Sequence, residues 1–149
     1  MRPIEPGGWI PIDRELDFSK HIQKAEEAAR RRNWDFAIQL YQQLLDIDPD
    51  QGEARAGLRR VLLKREEQQK GGKFLKAIRG ATPLALARTL SKTGKHAAAA
   101  KSLESYLVTS PLDEDANLML GVELEAAGFF KSALAVFEFL TEIAPKNPE

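Results

Sequence analysis

The chain has 149 residues, 43% apolar and 30% charged, an ordinary composition for a folded soluble domain and not for a disordered one. Lysine plus arginine balances aspartate plus glutamate at 22 each, so no global field draws the chain to nucleic acid or to a membrane. The absence of cysteine excludes disulfides, thiol catalysis and Cys-ligated metal. Residues 1–18 read as an extended N-terminal arm. Pro3, Pro6, Gly7, Gly8 and Pro11 oppose helix, while Ile4, Trp9, Ile10, Ile12, Leu16 and Phe18 are apolar enough to pack against the first hairpin or to dock in a groove. The arm has no apolar run behind a basic start. Nor does any stretch approach the roughly 20 apolar residues that span a bilayer, so the expected setting is the cytoplasm, away from membranes.

Helical patterning begins at Ser19, a candidate N-cap, and runs through Ala25, Ala28 and Ala29 to a break at Asn33. A second helix is expected over residues 34–47, with Trp34, Ala37, Ile38, Tyr41, Leu44 and Leu45 on one side and Asp48-Pro49 ending it. A third, over 52–70, carries Leu58, Val61 and Leu62 in register until Gly71-Gly72 interrupts it. A short helix near 74–79 comes next, and Thr82-Pro83 has the form of an N-cap with proline at the first helical position. Helices near 83–93 and 96–109, parted at Gly94, and near 113–127 and 130–143, parted at Gly128, complete the chain.

A period underlies these elements. Pro49 and Pro83 are 34 residues apart, as are Pro111 and Pro145. A small residue stands twelve positions before each proline (Ala37, Gly71, Ala99, Ala133), and an apolar or aromatic one eight before (Tyr41, Leu75, Leu103, Phe137). A fixed period of this length marks stacked helical hairpins. The middle interval, Pro83 to Pro111, is 28 residues, which makes the second unit degenerate. The units are 19–50, 51–82, 83–111 and 112–145, within an all-α repeat domain spanning 19–149.

This pattern resembles the tetratricopeptide repeat. The last hairpin carries it best: Leu120-Gly121, Ala133, Phe137 and Pro145 match, Asn117 stands where the family prefers tryptophan, and Leu124 replaces a tyrosine. The resemblance implies a right-handed superhelix that holds a partner protein or peptide and performs no chemistry. It also implies that the first helix of each hairpin lines a concave, partner-binding groove. On this chain those positions hold Ile22 and Glu26, then Leu84 and Arg88, then Leu118, Val122 and Glu125. The family's best-known groove clamps a C-terminal carboxylate with lysine, asparagine and arginine. Ile22, Glu26, Leu84, Ala85, Asp115 and Met119 replace them here, which argues against that ligand.

Between residues 55 and 79 nine basic side chains face only Glu66 and Glu67. Arg55, Arg59, Arg60, Lys64, Lys73, Lys76 and Arg79 therefore form a candidate basic patch, read either as a solvated face or as a dock for an acidic partner. Nucleic acid is the weaker reading because Phe74 is the sole aromatic there. His21 and His96 have no ligand-like neighbour three or four positions on, Gly71-Gly72-Lys73 lacks the rest of a phosphate loop, and no catalytic motif appears. No enzyme activity, metal or cofactor is expected. The last helix is apolar on more than one side (Leu134, Val136, Phe137, Phe139, Leu140, Ile143), so the chain is expected either to continue in a longer protein or to pair with another copy through that helix.

Overall fold

A computed structural model describes residues 10–69 and 73–144; residues 1–9, 70–72 and 145–149, including the Gly71-Gly72 break and Pro145, lie outside the described residues. Seven helices and no strand occur among the described residues: α1 (Ile10–Arg30), α2 (Trp34–Ile47), α3 (Gly52–Gln68), α4 (Lys73–Lys92), α5 (His96–Thr109), α6 (Glu114–Ala126) and α7 (Phe130–Ile143). The fold is an all-α helical repeat solenoid, with α1–α2, α4–α5 and α6–α7 as hairpins and α3 as the single helix of the degenerate unit.

One turn geometry closes all three hairpins. The backbone N–H of Asn33 donates to Ala28 O at 2.9 Å, that of Lys95 to Leu90 O at 2.8 Å and that of Phe129 to Leu124 O at 2.8 Å. This is the helix-ending bond that requires a left-handed residue just inside it. Gly94 (φ 79°) and Gly128 (φ 89°) supply that residue in two hairpins, and Arg32 (φ 62°) supplies it in the first. A side chain in this conformation costs about 1–2 kcal/mol, which glycine avoids.

Two boundaries differ from the sequence expectation. α1 starts at Ile10, so residues 10–18 of the expected arm are helical and Ser19 lies in mid-helix and caps nothing. Pro11 is compatible with this because it falls in the first turn, where a backbone N–H has no intrahelical partner. Likewise α4 runs unbroken from Lys73 to Lys92 through Pro83, so no new helix starts at Thr82. An interior proline forfeits one backbone bond at a cost of about 3 kcal/mol. α4 packs on α5, and Ser102 Oγ donates to Pro83 O at 2.5 Å.

The helices build two separate cores. Ala25, Ala37, Tyr41, Leu44, Leu58 and Leu62 close the first, from α1–α3; Ala87, Leu103, Leu107, Leu120, Leu124 and Val136 close the second, from α4–α7. Gly57 lets the buried Tyr41 ring lie directly on α3, and Gly121 does the same for Phe137 on α6, which is why those positions are small. These two cores define two larger units, α1–α3 and α4–α7, which join out of sequence order. α3 packs on α7, running in the same sense as α5 and α7, with Gly52 against Lys131 and Arg65 reaching Val108 at the far end of α5. On the last helix Val136 is buried in the second core and Phe139 is also buried within the single chain, while Phe130 and Leu134 stay exposed.

Arg32→Gly should relieve the strained turn and, after the entropy that glycine adds to the unfolded chain, stabilise the protein by about 0.5–1 kcal/mol. A rise in Tm by calorimetry checks this, and an unchanged or lower Tm contradicts it.

Candidate functional site

Where the two units meet, α3 turns two arginines inward. Arg55 and Arg59 are one helical turn apart and in register with Leu58 and Leu62, so they project from the stripe that packs rather than from the solvated face. Arg59 is 2% exposed. Glu104 of α5 lies between them: Arg55 Nη1 donates to Glu104 Oε2 at 2.8 Å, and Arg59 Nη2 donates to Oε1. Arg55 also donates from Nε to Ser132 Oγ at 3.1 Å and from Nη2 to Pro49 O at 2.8 Å. Asp50 Oδ1 accepts from the Ser132 backbone N–H at 2.9 Å. Burial alone pushes the Glu104 carboxyl up; the guanidiniums of Arg59 and then Arg55 more than reverse it, leaving the group below its ordinary value of 4.5. A cleft of about 410 Å³ opens beside this seam, walled by Leu45, Leu58, Ala100, Leu124 and Phe129 with Lys101 at its edge.

These contacts revise the basic patch. Arg55 and Arg59 are buried and neutralised, so they offer nothing to an external partner. Arg60 and Lys64 are exposed on the opposite side of α3. Lys73, Lys76 and Arg79 fall on α4, beyond the break, with side chains outside the described residues.

The groove positions also divide. On α6, Asp113 caps the N-terminus by accepting from the Ala116 N–H at 3.0 Å. Asn117, buried where the family has tryptophan, donates to Pro111 O at 3.0 Å and Asp113 O at 2.8 Å, fixing the turn before the helix. With Ala116, Leu120 and Leu124 facing the core, Leu118, Val122 and Glu125 share the outward face, and Leu118 and Val122 remain 48% and 47% exposed. Arg88 of α4 is exposed, whereas Leu84 is half-buried against the second core. Ile22 is buried in the first core, a correction to its place in the groove, because α1 turns Ile22, Ala25 and Ala28 toward its neighbours. Glu26 is half-buried on α1, in the other unit from α4 and α6.

A second titratable cluster was invisible in the sequence. His96 Nδ1 lies 2.7 Å from Glu123 Oε1, and Ser91 Oγ donates to Glu123 Oε2 at 2.6 Å. The serine thus bonds the carboxylate rather than the imidazole. Among the described residues no group of three or more His, Cys, Asp or Glu is placed to hold a metal ion. No helix among them is long and apolar enough to cross a membrane.

Two family models, each describing the tetratricopeptide repeat, match residues 84–148 and 26–55. No curated protein matches the chain. Among solved structures, the MamA protein aligns over 87% of this chain and 92% of its own at 16% identity, with a TM-score of 0.43. YrrB, described as a TPR protein with an unusual peptide-binding site, aligns over 85% and 69% at 23% identity, also with a TM-score of 0.43.

The depressed Glu104 titration has a definite sign. A carboxyl held below 4.5 when folded stabilises in full above that pH, and the contribution fades as pH falls toward its folded value. Glu104→Gln strands two buried guanidiniums, so the variant should lose about 3–5 kcal/mol at neutral pH. It should also show a shallower loss below pH 4.5 than the native chain. Urea unfolding across the acid range measures both, and parallel profiles would contradict the assignment.

Proposed function

Because the chain belongs to the tetratricopeptide repeat family, we propose that it is a non-enzymatic scaffold that holds a peptide or helix of a partner protein against the outward face of α6 and the neighbouring α4. The observation that carries this reading is the pair Leu118 and Val122, four residues apart and half-exposed on a helix whose other face is fully committed to the core. Two large apolar side chains spaced one helical turn apart, with Glu125 on the same face and Arg88 exposed on α4, suit helix-in-groove recognition. Burial supplies the affinity in that mode, and the flanking charges set orientation. Leu84 contributes from beneath by fixing α4 on the second core.

A second reading, self-association through α7, is favoured by Phe130 and Leu134, which are 64% and 58% exposed and also four apart. Light scattering at two protein concentrations tests it. A mass that rises in the native chain and stays constant in Phe130→Asp/Leu134→Asp supports the second reading; a constant single-chain mass removes it. For the first reading, Leu118→Asp/Val122→Asp should abolish partner capture and leave far-UV circular dichroism unchanged, because both side chains point away from the core. Capture that persists in this variant would move the site elsewhere.

A further inference from the structure

The first unit carries a different surface. A cleft of about 380 Å³ lies between the α1–α2 turn and the second half of α3. Four cations line it: Arg30 at the end of α1, Arg32 in the turn, and Arg60 and Lys64 on α3. Glu26 is the one carboxylate in its wall. Arg30 is held by Glu27 at 2.7 Å, but Arg32, Arg60 and Lys64 form no ion pair among the described residues. The buried Tyr41 and the half-buried Trp34 also line the cleft, and Trp34 is pinned where its Nε1–H donates to Gln68 Oε1 at 3.1 Å.

Arg32 supplies an independent observation. It occupies the left-handed turn position that the other two hairpins give to Gly94 and Gly128. The side chain is exposed and gains no carboxylate partner among the described residues, so nothing there offsets the strain. Backbone strain kept without internal compensation points to a role for the side chain outside the fold.

We propose that this cleft binds an acidic segment of a partner protein, its carboxylates accepting from Arg32, Arg60 and Lys64 while Trp34 and Tyr41 cover the intervening aliphatic carbon. Guanidinium groups suit carboxylates because they donate two parallel bonds. A peptide fits better than a nucleic acid because the cleft offers a single half-buried ring, Trp34, whereas single-stranded nucleic acid is held by several aromatic faces stacked on successive bases. The site is on the other unit from Leu118 and Val122, so it stands or falls separately from the α6 face.

The test is calorimetric titration of the full chain with an amide-capped eight-residue peptide of alternating aspartate and glutamate. A basic peptide and a single-stranded oligonucleotide of equal charge serve as comparisons. The native chain should bind the acidic peptide, more weakly as salt rises through the Debye range. Arg60→Glu/Lys64→Glu should weaken binding at least about tenfold, the loss of two charge-assisted contacts. Arg32→Gly is the sharper variant, because it should weaken binding several-fold while raising Tm, an outcome that misfolding cannot produce. Absent binding by the native chain, equal binding by Arg60→Glu/Lys64→Glu, or equally tight binding of the oligonucleotide would each overturn the proposal.

Discussion

Glu104 reaches from the second unit into the first and meets Arg55 and Arg59 there, away from water. Each core could close without that contact, since the apolar cluster of α1–α3 and that of α4–α7 share no residue. What fixes one unit on the other is largely polar: the carboxylate between two guanidiniums, Ser132 and Asp50 across the α3–α7 contact, and Arg65 on the Val108 carbonyl. Such a seam adds little net stability compared with an apolar one, because desolvating three charges costs nearly what their attraction returns. It is, however, exacting about position. A sliding shift of α3 along α7 would strand two buried cations, so the polar seam fixes a register that apolar side chains would have left loose.

The same seam decides which surfaces are available. α3 advances about 100° per residue, so adjacent Arg59 and Arg60 have opposite fates, one buried on Glu104 and the other in an open cleft. α3 docks on α7, a helix whose Val136 and Phe139 are buried while its Phe130 and Leu134 stay exposed. The α6 face and the α1–α3 cleft stay free because neither takes part in joining the units. One is apolar, the other basic with aromatic walls, so the two surfaces differ in the chemistry they present.

Much of the repeat was legible from residue type and spacing. Glycines at 94 and 128 mark turns because only a residue without Cβ adopts the left-handed conformation cheaply. The first hairpin hid the same turn behind Arg32, which no propensity rule selects for that place. Residues 10–18 misled for a related reason: proline opposes helix in the interior but not in the first turn, and position relative to the helix start is unknown until the start is known. The exposure of Leu118 and Val122 accords with the 3.6-residue period. Ile22 shares the face of Ala25 and Ala28 by the same period, and burial of that face against its neighbours is what takes it out of the groove.

By itself the sequence determined the helices, their pairing into hairpins and the family, since these depend on local preference and on a period that repeats along the chain. Tertiary structure alone decided which arginines of α3 are buried, that α3 meets α7, and that Glu104 and Glu123 find partners tens of residues away. The physical reason is range. Periodicity records which face of a helix is apolar, whereas the partner of a charged side chain is set by how two separately packed units dock, and no spacing within either unit encodes that.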